Sequence, residues 1–316
     1  MANPELSRNI INRVGLYALG CLLLVGTFLA LSLVVAKLAD GAGVPRLTFL
    51  MVAVAGAGIV LTAITALQRQ PISLTRRTLE YAIVSGALFA LPNALGFLAV
   101  RHVGAGFVSL SFAFPILITW LLAVLLSLER LRTLRLLGVL LGLSGGLLLA
   151  AAKAGGVDGS QGWVVLVLAM PVVIALGNIY RTLRWPSGAA PVFLAALMML
   201  GGALALLPFA LLFEPGQMQA LFESASAIRL LLVEVAVFSV LYLFYFVLQK
   251  LAGPVYLSQI GTVAALVGTL IAVFTLGEAL PPNLGLAGIL VALGTILFHR
   301  GARAASTRYI KSGDTV

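Results

Sequence analysis

Two stretches of the sequence decide the fold. Residues 97–129 read FLAVRHVGAGFVSLSFAFPILITWLLAVLLSLE, and residues 246–278 read FVLQKLAGPVYLSQIGTVAALVGTLIAVFTLGE. They align without gaps when the first residues of the two stretches are superposed. Apolar segments resemble each other by chance, so the informative matches are the basic, glycine, serine and acidic positions: Arg101 with Lys250, Gly104 with Gly253, Ser109 with Ser258, and Glu129 with Glu278. The chain therefore contains an internal repeat.

The composition around these stretches is that of a membrane protein. Of the 316 residues, 61% are hydrophobic and only 9% are charged, whereas soluble domains carry about 25% charged residues. So few charges leave too little polar surface to cover a water-soluble globule. The net charge of +10 does not indicate binding to nucleic acid, because the basic residues lie in short segments between apolar runs.

Ten apolar segments are candidate membrane spans, since a helix needs about 20 apolar residues to cross the hydrocarbon core. They cover roughly residues 14–36, 47–67, 79–99, 104–127, 134–152, 162–180, 190–213, 229–249, 255–276 and 284–299. With a cytoplasmic N-terminus, the outer segments hold only Lys37, Arg46, Arg101, Lys153 and Arg229, which leaves 15 of the 20 lysines and arginines inside. This asymmetry follows the positive-inside rule and predicts that both termini are cytoplasmic.

The repeat divides the ten spans into two halves of five. Because five is odd, the second half enters from the opposite side of the membrane, and the repeat is inverted in topology. Inverted repeats build secondary transporters, which hold the substrate near the midplane between the halves. The sequence therefore predicts an all-α membrane protein of ten transmembrane helices as two five-helix inverted-topology repeats. The boundaries are residues 1–156, residues 157–300 and a cytoplasmic tail at 301–316.

The repeated segments also resemble a known family. Residues 96–146, with Pro115 inside one helix, Glu129 at its end and a glycine-rich helix after it, are similar to the first EamA-type domain of the drug/metabolite transporter superfamily. Residues 251–294 look like the second such domain. The resemblance implies a ten-helix exporter or facilitator of amino acids or other metabolites. The stretch GPVYLSQ at 253–259 is similar to the amino-acid exporter branch, including the aromatic amino acid exporters.

Polar and aromatic side chains inside the apolar runs are the candidate substrate-binding residues, because such groups usually face the bundle interior or a wet cavity. Asn93 follows Pro92 in mid-span, where a proline frees a backbone carbonyl, and Tyr242 and Tyr245 share one helix face. The predicted set is Asn93, Ser109, Ser111, Tyr242, Tyr245, Ser258 and Gln259. Two alternatives stay open: Asn93 marks a packing kink, and the serine hydroxyls bond their own helix backbone.

Glu234 is the only acidic residue well inside an apolar run, RLLLVEVAVFSV. One interpretation is a site of proton coupling or of contact with a substrate amine. The other is a shallow position near the membrane surface, where the carboxylate meets water or pairs with Arg229. No lysine or arginine is predicted deep in a span, which argues against phosphorylated sugars. A neutral or zwitterionic substrate with an apolar body fits this pattern best.

Motifs for other functions are missing from the sequence. It has no glycine-rich Lys-Ser/Thr loop for ATP phosphates and no catalytic set in the spans. The single cysteine, Cys21, excludes an internal disulfide, and no metal-ligand spacing occurs. We therefore expect no enzymatic activity, no cofactor and no bound metal.

The expected function is export or facilitated movement of amino acids, aromatic or apolar ones above all, by alternating access across a bacterial inner membrane. The alternative is an exporter of drugs or other small metabolites with the same fold. The expected partners are a small-molecule substrate and the lipid bilayer, without nucleic acid, and the protein is expected to be a monomer or a homodimer.

Overall fold

The computed structural model describes residues 4–112, 114–129, 131–154, 161–274, 285–290, 292–294, 296–298 and 300. The helices follow one another as α1 (Pro4–Gly41), α2 (Arg46–Leu67), α3 (Arg76–Val103), α4 (Ala105–Ser111), α5 (Pro115–Leu125), α6 (Thr133–Ala154), α7 (Gln161–Leu183), α8 (Pro191–Phe213), α9 (Gln217–Glu223), α10 (Ala225–Leu257) and α11 (Ile260–Phe274). Within the described residues, six helices are long and apolar enough to cross a membrane: α1, α2, α3, α7, α8 and α10. The chain is a multi-pass helical membrane protein.

Shorter apolar helices accompany the six long ones. They are α5, the segment Thr133–Gly142 of α6, and Gly285–Phe298. The count of ten spans and the inverted repeat stay predictions, because only six helices of the described residues are long and apolar enough to cross a membrane. Glu278 and the tail at 301–316 lie outside the described residues.

One predicted span is interrupted, and one predicted boundary between spans lies inside a helix. The span predicted at 104–127 is split, because α4 ends at Ser111 and α5 begins at Pro115. A proline cannot donate a backbone hydrogen bond to the turn before it, but it suits the first turn of a new helix. The boundary predicted before 255 is a kink inside α10, where Gly253 has φ 76° and ψ 179°, a conformation that favours glycine.

Helix α8 packs against both α2 and α3, and glycines form the closest approach. A Cβ atom on Gly201 would lie 2.0 Å from the carbonyl oxygen of Ala82, and one on Gly86 would lie 2.4 Å from the carbonyl carbon of Gly201. Small residues let helices approach closely in membranes. The contact fixes α3, and with it Asn93, against the second predicted half of the chain.

A carboxylate at the end of α8 caps the start of α2. Pro45, which precedes α2, makes no side-chain capping bond. Instead the Glu214 carboxylate accepts hydrogen bonds from the backbone N–H groups of Leu47 at 3.1 Å and Thr48 at 2.8 Å. These N–H groups have no partner within the helix, and a negative charge is favourable at a helix N-terminus. Glu214 therefore ties α8 to α2.

We expect Glu214→Ala to lower the free energy of unfolding by about 1 kcal/mol, the usual cost of losing a helix cap. The measurement is the midpoint of thermal unfolding of the purified protein in detergent. Glu223→Ala is the matched control, because Glu223 is exposed at the end of α9. Equal midpoints for the two variants would contradict the capping role of Glu214.

Candidate functional site

A cavity of about 70 Å³ lies where α3, α7 and α10 meet. Aromatic rings and polar groups line it together: Phe89, Phe112, Tyr242 and Tyr245, with Asn93, Asn178, Arg181 and Ser258. This volume has room for several water molecules. Helix α3 belongs to the first predicted half of the chain, whereas α7 and α10 belong to the second. Residues of both predicted halves therefore line one cavity.

Asn93 lies one residue after the proline of α3. Its Nδ2 donates a hydrogen bond of 2.8 Å to the carbonyl oxygen of Phe89, one turn earlier, and the side chain lines the cavity. Because Pro92 has no N–H, the carbonyl of Leu88, which also lines the cavity, loses its usual helical donor. The residue whose carbonyl the proline frees and the residue that carries the side-chain amide therefore both line the cavity.

The two predicted tyrosines of α10 both reach this cavity, where other aromatic rings hold them. The Tyr242 ring meets Phe89 edge to face with centroids 4.9 Å apart, and its centroid is 5.7 Å from that of Tyr245. Phe238, one turn earlier on α10, contacts both Tyr242 and Phe89. Such pairs add about 0.5–1.5 kcal/mol beyond the area that they bury. The cluster gives the cavity a rigid apolar wall.

Arg181 is a candidate residue that the sequence analysis missed. Its position near the end of α7 places it with the polar segment that follows, yet it is only 4% exposed and lines the cavity. Its Nη2 donates to Asn178 Oδ1 at 2.9 Å and to the Tyr245 hydroxyl at 2.7 Å, and that hydroxyl donates to the same Oδ1 at 2.5 Å. The sequence analysis placed Arg181 in the polar segment after a span, whereas its side chain is buried among the helices.

The direction of helical side chains explains where Arg181 lies. The Cα–Cβ bonds of a helix tilt toward its N-terminus, so a long side chain near the C-terminal end reaches back over the preceding turn. Gly177 leaves room for it, since a Cβ atom there would lie 3.0 Å from Arg181 Nη1. The sequence GNIYR at 177–181 therefore contained a signal, because a glycine and an asparagine precede the arginine by four and three residues.

The predicted serines and the glutamine differ in whether they line the cavity. Ser111 is buried, and Ser258 lines the cavity. Each hydroxyl donates, at 2.7 Å, to a carbonyl oxygen three residues earlier in the chain. Gln259 is half-buried and lies outside the lining of the cavity, while the side chain of Ser109 lies outside the described part of the structure. Of the two described serines, only Ser258 reaches the cavity.

Glu234 is completely buried between α10 and α1, away from the cavity. Its Oε1 accepts a hydrogen bond of 2.5 Å from the Ser32 hydroxyl, and Oε2 has no partner among the described residues. Arg229 is exposed, and its Nε donates to the backbone of its own helix. Glu234 therefore neither meets water nor pairs with Arg229, and the interpretation that it does one of these is wrong.

The described part of the cavity lining carries a single positive charge, because it contains one cation, Arg181, and no acidic side chain. The described residues also contain no group of three histidine, cysteine, aspartate or glutamate side chains that could hold a metal ion. The arrangement can bind a polar or anionic group beside Arg181 and Asn178. An apolar body would then lie against the rings of Phe89 and Tyr242.

Comparisons with known proteins agree with this architecture. Residues 16–151 match the model of the EamA-like transporter family. A solved structure described as "Crystal structure of protein" has a TM-score of 0.64 and 19% sequence identity, and the similarity covers 92% of this chain and 99% of that one. At this identity the likeness is one of fold alone. No curated protein sequence matches the chain.

Proposed function

Because residues 16–151 match the model of the EamA-like transporter family, we propose that the chain carries amino acids with aromatic or apolar side chains across a membrane by alternating access. The family and the six membrane-capable helices of the described residues indicate a membrane transporter of small metabolites. Members of this family are transporters, not enzymes. The choice of amino acids is supported by the cavity, where flat aromatic walls meet amide and guanidinium groups.

The single observation that carries this proposal is the meeting of two kinds of surface in one cavity. The rings of Phe89 and Tyr242 suit an apolar side chain, and Asn93 and Asn178 suit the polar end of an amino acid. Pockets for small molecules usually have this combination, a mostly apolar lining with a few polar groups that fix the orientation. Asn93, Tyr242, Tyr245 and Ser258 are the substrate-binding residues in this proposal.

Movement of the helices is part of the proposal, because the cavity has room for only several waters and a phenylalanine-sized substrate needs more. The hinges are the places where the helices are interrupted: Pro92 within α3, the break between α4 and α5, and Gly253 within α10. Hinges are usually a few residues at element ends that absorb backbone rotation. Opening at these points on one side and then the other would expose the cavity alternately.

The proposed location is a bacterial inner membrane, with both termini in the cytoplasm. The distribution of lysine and arginine supports this orientation, because the segments predicted to be cytoplasmic hold most of them. The protein would need only its substrate and the lipid bilayer, as a monomer or homodimer.

We expect Tyr242→Ala to lower the flux of labelled phenylalanine at subsaturating concentration by about tenfold, because it removes the ring that packs on Phe89 and faces the substrate. The measurement is uptake and efflux of a labelled amino-acid panel in proteoliposomes. Tyr17→Ala is the matched control, since Tyr17 is 71% exposed on α1. Equal loss of flux in both variants would contradict the role of Tyr242.

Absence of flux for every amino acid, with protein shown to be folded, would contradict the amino-acid proposal itself. The alternative would then be export of drugs or other small metabolites by the same fold. Competition for transport by diverse apolar compounds that are not amino acids would support that alternative.

A further inference from the structure

Arg181 is a buried cation that has no counterion among the described residues. Among the described residues the ion pairs are Arg46 with Asp40 and Arg135 with Glu129, and no carboxylate pairs with Arg181. An isolated charge in a dry interior is costly, and buried charges are normally paired. An anion bound inside the cavity would therefore stabilise the guanidinium.

The hydrogen bonds of Arg181 show which donors are left. A guanidinium carries five N–H donors and no acceptor. Nη2 uses its hydrogens on Asn178 and Tyr245, which are neutral acceptors. Nη1 reaches only the sulfur of Met198 at 3.7 Å, a weak acceptor, and the buried Nε has no partner among the described residues. Strong acceptors for these remaining N–H groups must come from outside the described residues.

The surroundings also hold the guanidinium in place before any ligand arrives. Its Cζ lies 5.3 Å from the centroid of the Tyr245 ring, an arrangement that a cation and an aromatic face favour. Gly177 leaves the space in which Nη1 lies, and Asn178 fixes Nη2. A guanidinium held this rigidly loses little freedom when it binds a planar carboxylate, and such charge-assisted bonds are about twice as strong as neutral ones.

We propose that Arg181 binds the carboxylate of the transported molecule, and that the cavity recognises this carboxylate rather than an ammonium group. The described lining contains no acidic side chain, so an amine would meet only the neutral oxygens of groups such as Asn93. The substrate class is then small carboxylates with an apolar or aromatic body, with or without an α-amino group. The inference rests on the proposed function, since it treats the cavity as the transport site.

The test uses three probes of nearly equal size on the full chain in lipid nanodiscs. L-Phenylalanine has both charged groups, 3-phenylpropionate has only the carboxylate, and L-phenylalaninamide has only the amine. We expect the first two to bind with dissociation constants within about threefold of each other. The amide is expected to bind at least about tenfold more weakly, because it cannot form the charge-assisted pair.

Variants of Arg181 and its neighbours separate the effect of the charge on binding from an effect of lost folding. Arg181→Gln is expected to weaken the binding of both carboxylates by at least about tenfold and to leave the binding of the amide unchanged. The affinities of Arg181→Lys are expected to fall between those of Arg181→Gln and the wild type. Gly177→Ala keeps the charge but crowds Nη1, so it should weaken the binding of both carboxylates. This variant tests the site even if Arg181→Gln does not fold. Arg184→Gln is the control, because Arg184 is exposed just beyond α7.

The outcomes distinguish this inference from the proposed function. Equal binding of the amide and the two acids, or an unchanged preference in Arg181→Gln, would overturn the carboxylate site. Wild-type phenylalanine flux in Arg181→Gln proteoliposomes would also overturn it and would leave the transport function intact. Binding of 3-phenylpropionate that depends on Arg181, without flux of any probe, would support the site and contradict transport.

Discussion

Replacing Gly201 by alanine is expected to destabilise the protein more than any other single methyl group added to a described helix. The new Cβ would lie 2.0 Å from the carbonyl oxygen of Ala82, a backbone atom that cannot rotate away as a side chain can. Helices α3 and α8 would have to separate. Overpacking of this kind costs about 1–3 kcal/mol and occasionally more, and we expect the upper end of that range.

The measurement is the thermal unfolding midpoint in detergent, with Gly20→Ala as the control. Gly20 also lies inside a long helix, but a Cβ atom there would meet nothing within 4 Å, so this variant should keep or slightly raise the midpoint. The next residue, Gly202, faces Phe89, with a would-be Cβ distance of 2.8 Å to the ring. Separation of α3 from α8 should therefore disturb the cavity as well. Equal midpoints for Gly201→Ala and Gly20→Ala would contradict the glycine contact.

The glycine contact shows what kind of information the sequence lacks. The apolar composition predicts the membrane class, and the ends of long helices follow from charge and proline: the span predicted at 47–67 corresponds to Arg46–Leu67, and that at 190–213 to Pro191–Phe213. Which glycine meets which helix depends on the three-dimensional packing of α3 and α8. No local pattern in the sequence specifies that pairing.

In the candidate site, too, the sequence predicts the features that local helix geometry sets, but not those that depend on three-dimensional packing. Tyr242 and Tyr245 could be placed on one face because a spacing of three is a local property of a helix, and both line the cavity. Arg181 was misplaced because its depth was read from its position along the chain, whereas the reach of its side chain sets where the charge lies. One interpretation of the sequence paired Glu234 with Arg229, but five residues along a helix turn a side chain by about 140°, to a different face.

Glu234 is expected to decide whether flux responds to a pH gradient. It is the only acidic side chain among the buried polar residues that the structure describes, its one partner is the Ser32 hydroxyl, and no cation of the described residues pairs with it. A carboxyl group in that setting can take up and release one proton. Phe238 lies four residues after Glu234 and on the same face of α10, and it contacts Phe89 and Tyr242, which line the cavity.

We therefore expect Glu234→Gln to abolish the response of phenylalanine flux to an imposed pH gradient in proteoliposomes, while flux without a gradient continues. Glutamine keeps the size of the side chain and an oxygen that can accept from Ser32, but it cannot exchange a proton. Ser32→Ala should keep the response, because the carboxyl group remains, and Glu223→Gln controls for loss of an exposed acid.

A gradient response that survives in Glu234→Gln would exclude this carboxyl as the coupling group. A wild-type flux indifferent to the gradient would mean that the protein is a facilitator, in which the Ser32–Glu234 bond serves only to join α1 to α10. The two readings differ in a second way as well. If the bond is purely structural, Ser32→Ala and Glu234→Gln should both lower stability and leave the response to the gradient unchanged. If Glu234 is the coupling group, only the loss of its carboxyl group should remove that response.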